Sequence, residues 1–118
     1  MKNKRETGFE YEEIAKKFLE EKNLSFITSN YYTRYGEVDL IFFEKLSETL
    51  VFVEVKYRKK SIYGTAVETV DRKKQEKILL SSQIYIIENE WNGNIRYDII
   101  GITGNKSENN INWIKNAF

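Results

Sequence analysis

Gly36-Glu37-Val38-Asp39-Leu40-Ile41-Phe42-Phe43 is followed, after a polar turn around Glu44 to Thr49, by Leu50-Val51-Phe52-Val53-Glu54-Val55-Lys56-Tyr57. Both runs are rich in β-branched and aromatic residues and apolar on both faces. That pattern predicts central strands covered on two sides. The short turn predicts an antiparallel hairpin. With Leu46-Ser47 at the tip, Lys45 opposes Glu48 and, by continuation, Asp39 opposes Glu54. Cβ atoms of facing residues lie ~4.5–5.5 Å apart. A slip of one residue would carry Asp39 to the other face.

Outward toward the N-terminus, Leu24, Phe26 and Ile27 begin a further strand that runs to about Thr33. Before it, Tyr11, Ile14, Ala15, Phe18 and Leu19 recur at the spacing of an amphipathic helix. Thr7-Gly8-Phe9-Glu10 fits a capping box, which places the helix at about 8–22 and leaves residues 1–7 as a flexible lead. Toward the C-terminus, Ser61 to Thr69 with Gly64 reads as a loop. Asp71 then caps a helix over about 72–88, whose apolar row is Ile78, Leu79, Tyr85 and Ile86 with small Ser82 between. Trp91-Asn92-Gly93-Asn94 is a turn, Ile95 to Ile102 a fourth strand, Gly104 to Asn110 a polar loop and Ile111 to Ile114 a short last element. The order α-β-β-β-α-β-β predicts one α/β domain over 1–118, a mixed sheet with a helix on each face.

The composition narrows the chemistry. The 118 residues contain no histidine and no cysteine. Zinc fingers, thiol redox chemistry, disulfides, and Cys-His or Ser-His-Asp nucleophiles are thereby excluded. Chemistry must come from carboxylates, lysines, arginines, hydroxyls and a hard metal ion. The formal net charge of +1 points to no partner, so only local charge is informative. No stretch approaches the ~18 apolar residues of a membrane helix. Met1 to Phe18 lacks the apolar core of a signal peptide, so the expected location is cytoplasmic.

Asp39, Glu54 and Lys56 interrupt the most apolar strands of the chain. Burying an unpaired carboxylate costs several kcal/mol, roughly, after relaxation. These groups must therefore be paired, bound to a metal or placed at the solvent end of the sheet. Side chains alternate across a strand, so Glu54 and Lys56 share a face. The hairpin register brings Asp39 to the same patch. Two like charges so close repel unless a cation lies between them. An oxygen-only donor set suits Mg²⁺ or Mn²⁺. Lys56 beside such an ion would orient a water or neutralise developing charge. The chemistry that follows is metal-assisted phosphodiester hydrolysis. The plainer account is a buried Glu54–Lys56 salt bridge, with Asp39 merely ending a strand.

Glu12 lies at the margin of the first helix's stripe, where it either touches the metal through water or is solvated surface. Lys74 and Gln75 open the second helix, as a phosphate contact or as an ordinary charged face. Lys56-Tyr57-Arg58-Lys59-Lys60 and Arg72-Lys73-Lys74 give local positive charge, and Tyr31, Tyr32, Arg34 and Tyr35 could stack on bases. Asp98, in Arg96-Tyr97-Asp98, is expected to pair with an arginine.

Gly8…Glu12-x-x-Ala15, Asn30 followed by Arg34-x-Gly36-Glu37-Val38-Asp39-Leu40-Ile41, Phe52-Val53-Glu54-Val55-Lys56-x-Arg58, Gly64, Val70-x-x-x-Lys74, Arg96-Tyr97-Asp98 and Asn116-Ala117-Phe118 closely resemble the YraN-like family. That family in turn is similar to the PD-(D/E)xK nuclease superfamily, akin to archaeal Holliday-junction resolvases and restriction endonucleases. The resemblance implies a restriction-endonuclease-like α/β/α fold. It matches Asp39 to the metal-binding aspartate, Glu54 and Lys56 to the (D/E)xK pair, Glu12 to an acidic residue on the first helix and Lys74 to a helix lysine that contacts substrate. Thr65-Ala66 stand where a proline is common, and Val38 replaces the usual isoleucine.

The expectations are a Mg²⁺- or Mn²⁺-dependent endonuclease with Asp39, Glu54, Lys56 and Glu12 as its catalytic set. Asp39 and Glu54 would be the metal ligands, and Arg34, Arg58, Lys74 and Gln75 the nucleic-acid contacts. DNA, branched or damaged, is the expected partner ahead of RNA. Resolvase-like relatives make a two-fold homodimer a further expectation, and a membrane partner is not expected. The alternatives are a nucleic-acid-binding module without turnover and a protein-interaction domain with a structural acidic cluster.

Overall fold

The computed structural model describes residues 4–58, 70–105 and 107–118. The expected loop from Ser61 to Thr69, with Gly64 and Thr65-Ala66, and the basic residues Lys59 and Lys60 lie outside the described residues. The elements follow the expected order: α1 (Lys4–Glu21), β1 (Leu24–Thr33), β2 (Gly36–Glu44), β3 (Thr49–Arg58), α2 (Arg72–Glu88), β4 (Asn94–Gly104) and β5 (Asn109–Ile114). The strands form one five-stranded sheet in the order β1-β2-β3-β4-β5. Only β3 and β4 run parallel, and the chain passes between them through α2. That crossover supplies the helix a parallel pair requires.

Each helix covers one face. Tyr11, Ala15 and Leu19 of α1 pack with Leu24, Leu40, Phe42, Val51, Val53, Ile100 and Ile102. On the opposite face Ile78 of α2 packs with Val38, Ile41, Leu50, Phe52, Tyr97 and Ile99. The α/β/α layering is therefore as expected, and β2 and β3 are apolar on both sides because both sides are covered. Full burial of side chains such as these is worth about 1.5–3 kcal/mol each, which makes the sheet centre a rigid platform.

The structure corrects the start of α1. The helix begins at Lys4, so Thr7 lies inside it and cannot be its N-cap. The local capping pattern lost to simple continuation, since Lys, Arg and Glu are good helix formers. Asp71 does cap α2, accepting a hydrogen bond from Lys74 N at 2.8 Å.

The β2–β3 register is the expected one. Leu40 pairs with Val53, Ile41 with Phe52 and Glu44 with Thr49 around a turn closed by Glu48 N donating to Lys45 O. The ladder ends at Leu40–Val53, one pair short of Asp39 and Glu54. There the Asp39 carboxylate takes over: its Oδ2 accepts the Val55 N–H at 2.8 Å. Strict alternation also fails at this point, because Val38 and Leu40 belong to opposite cores. On the β1 side, Ser29 pairs with Leu40 and Tyr31 with Val38, and Asn30 between them sits at φ +52°. Asparagine tolerates that left-handed conformation better than most residues. Asp39 thus sits where the β2–β3 ladder ends and alternation breaks.

Candidate active site

Four carboxylates converge at that point. Oxygens of Glu12 from α1 and of Glu37 and Asp39 from β2 all lie within 4.8 Å of one another. Glu54, next on β3, is 3 % exposed, and its charge raises the carboxyls of Asp39 and, more weakly, Glu12. Its Oε1 faces two ammonium groups, Lys74 Nζ at 3.5 Å and Lys56 Nζ at 3.8 Å. Its Oε2 is buried with no hydrogen-bond partner, and so is Oε1 of Glu12. A desolvated, unpaired carboxylate oxygen is costly in an apo protein, and these two meet in one cluster.

The titration of the cluster reflects this crowding. Burial, then the negative charge of Glu54, pushes Asp39 well above the usual carboxylate range, against the opposing Val55 N–H. Burial also raises Glu54, while Lys74, a hydrogen bond shared with Asp39, and Lys56 pull the other way. Glu12 is pushed up to about 7 by burial and by Glu37, with a hydrogen bond to Asn30 opposing. Burial thus raises both Asp39 and Glu54, and a cation between them would relieve the repulsion that raises Asp39 further.

This makes a stability prediction. Raised carboxyl pKa values mean that the folded chain binds protons more tightly than the unfolded one, so stability is full below about 4.5 and is lost as pH rises through about 7. In EDTA the melting temperature should fall between pH 5 and pH 8, by on the order of 5 °C. Mg²⁺ or Mn²⁺ added at pH 8 should restore it, and Glu12→Gln should flatten the pH dependence. A melting temperature that rises from pH 5 to pH 8 in EDTA would rule out this electrostatic arrangement.

The structure thus brings Asp39, Glu54, Lys56 and Glu12 together. The plainer account holds in part: the Glu54–Lys56 ion pair exists, but Asp39 lies inside β2 and does not end it. Lys74 points inward to Glu54, and Gln75 Nε2 donates to Val70 O at 3.0 Å, bracing the helix start. Arg58 follows at the end of β3, and its buried Nε has no partner. Arg34 is exposed at the β1–β2 turn, where it donates to the Tyr35 hydroxyl at 2.8 Å. The tyrosines also sort: Tyr31 is tied to Glu88 and Tyr85, whereas Tyr32 is exposed.

Glu37 is the site residue that the sequence argument left out. Its spacing of two from Asp39 was the available signal, since such residues share a strand face. On the α1 side, Glu12 lines a cavity of about 130 Å³ together with Phe9, Ser29 and Asn30.

Among known proteins, residues 11–102 match the family described as Uncharacterised protein family UPF0102. A UPF0102 protein of Vibrio campbellii is 42% identical over 119 residues, covering 98% of this chain and 94% of its own. UPF0102 protein YraN of Shigella flexneri is 41% identical over 119 residues, covering 97% and 85%. A UPF0102 protein of Nitrosococcus oceani is 35% identical over 116 residues, covering 97% and 92%. With a family match across most of its length and full-length relatives at these identities, this chain belongs to the UPF0102 (YraN) family.

Proposed function

We propose that this chain is a Mg²⁺- or Mn²⁺-dependent endonuclease that hydrolyses phosphodiester bonds in nucleic acid, with DNA as the substrate. The observation that carries this reading is Glu54: a carboxylate buried in the sheet, one oxygen facing two lysines and the other bare, beside three more carboxylates. The oxygen-only donors fit a hard divalent ion, which Asp39 and Glu54 would hold with Glu12 and Glu37 nearby. Such an ion supplies Lewis acidity, polarising a phosphoryl oxygen and acidifying water.

The residues around it have separable tasks. Val55 N fixes Asp39, and Lys74 fixes Glu54, so neither carboxylate must reorganise during the reaction. Lys56 is 31 % exposed and lies between Glu54 and solvent, where its ammonium can meet the negative charge that builds on phosphorus-bound oxygens. The half-buried Arg58 at the end of β3 and exposed Arg34 carry guanidinium groups for flanking phosphates.

The test is a cleavage panel on duplex, flap and four-way-junction DNA and on matched RNA, with Mg²⁺, Mn²⁺ or EDTA. Nicking of DNA with either metal and none in EDTA is the expected result. Salt-sensitive binding to every substrate without any cleavage would replace this reading with that of a binding module.

A further inference from the structure

Three connections meet at the end of the sheet remote from the acidic cluster: the turn after α1, the β2–β3 hairpin tip and the turn after β5. From Asp39 to the hairpin tip the strand advances ~3.4 Å per residue, so the two regions lie on the order of 17 Å or more apart. Between the three turns is a groove of about 830 Å³, lined by Lys22, Lys45, Leu46, Lys115, Trp113 and Glu44. Leu46 is 98 % exposed on its rim.

The groove's charge is one-sided. Its single carboxylate, Glu44, takes hydrogen bonds from Arg96 Nη1 and Nη2 at 2.9 and 3.3 Å and from the Ser47 hydroxyl at 2.6 Å, with Lys115 acting on it only weakly and from farther off. Among the described residues, no carboxylate comes within ion-pair distance of Lys22, Lys45 or Lys115. Lys22 and Lys115 instead lie over aromatic rings, Phe18 at 5.3 Å and Trp113 at 4.4 Å. Their ammonium groups thus sit on aromatic faces, where they are positioned without a carboxylate partner. Trp113 is held in place: its Nε1 donates to Asp98 at 2.9 Å, and Phe18 meets its ring edge-on. A wall fixed before binding loses little entropy on binding.

We propose that this groove docks an acidic peptide segment of a partner protein. A bulky apolar side chain of that segment enters between Leu46 and Trp113, and flanking Asp or Glu residues meet Lys22, Lys45 and Lys115. An apolar ring and an apolar rim residue set among three ammonium groups match that alternation of chemistry. A nucleobase would need an open ring face to stack on, but Lys115 Nζ already lies over Trp113 and aliphatic Leu46 offers none. The docking is independent of whether the acidic cluster cleaves anything.

The test uses fluorescence polarisation with a fluorescein-labelled peptide of three aspartates, a phenylalanine and three aspartates. Saturable binding to the full chain is expected, with Kd on the order of 10–100 µM at low salt. Asparagine in place of the aspartates, or alanine in place of the phenylalanine, should abolish it. The double variant Lys45→Glu/Lys115→Gln and the separate variant Leu46→Asp, both at turn positions, should each weaken it by about tenfold or more while melting like the parent. No saturation by 1 mM peptide overturns the proposal, and so does unchanged binding by both variants. Tighter binding of an oligothymidine that competes with the peptide and is lost in the lysine variant would also overturn it, making the groove a nucleic-acid surface.

Discussion

Asp39→Asn is expected to lower metal-dependent cleavage by about a thousandfold or more, because several kcal/mol of transition-state charge stabilisation depend on holding the cation. The same change should raise the melting temperature of the metal-free protein at pH 8. Asparagine keeps an oxygen for the Val55 N–H and removes the charge that repels Glu54 and Glu12. Addition of Mg²⁺ should no longer stabilise the variant. Opposite signs for activity and stability belong to a site built around a cation; a structural aspartate would give losses in both. Parallel cleavage assays and thermal melts, with and without Mg²⁺, measure the two effects. An Asp39→Asn protein that cleaves like the parent removes the proposed mechanism. One that is less stable at pH 8 in EDTA removes the electrostatic account of the cluster.

The second large effect concerns stability alone. Asp98 is 0 % exposed and fully used: Arg96 Nε and Nη2 donate to it at 2.9 and 3.0 Å, Trp113 Nε1 at 2.9 Å and Asn116 N at 2.9 Å. Through Arg96 it is linked to Glu44, whose carboxyl is held down at about 2 by the Arg96 hydrogen bond and Ser47. Asp98→Ala leaves a part-buried guanidinium, an indole N–H and a backbone N–H with fewer partners. Breaking one side of such a pair typically costs about 3–5 kcal/mol. For a chain of this size that corresponds to a drop on the order of 15 °C in melting temperature. Urea denaturation should show a shifted midpoint with an unchanged slope. A loss under about 1 kcal/mol would mean that water replaces the network without penalty.

The contrast between these two aspartates explains how far a linear reading reaches. Both interrupt apolar strands. Asp98 follows Arg96 at a spacing of two, so its cation was visible two residues away, and the pair forms as expected. Asp39 has no basic residue at that spacing, and its partners come from α1, β3 and its own strand. The hairpin made one of them, Glu54, legible, because a tight turn fixes the register of everything that follows it. Periodicity showed Glu12 as a polar residue beside an apolar stripe, and its place in the site came from the family resemblance. Lys74 and Gln75 were read as facing a ligand, yet in the structure one faces Glu54 and the other braces the helix start. Which way a long side chain at a helix start turns depends on what the neighbouring strand offers it.

Periodicity, turn chemistry and residue type are local, and they were enough for the order of elements, a sheet covered on both faces, the β2–β3 register and the absence of histidine and cysteine chemistry. The tertiary structure decided the rest: the early start of α1, the break in alternation at Asp39 where carboxylates from α1, β2 and β3 meet, the part played by Glu37 and the groove at the far end. Each of these depends on groups distant in the chain sharing a volume from which water is excluded, where the strength of an interaction is set by burial and distance and not by spacing along the sequence.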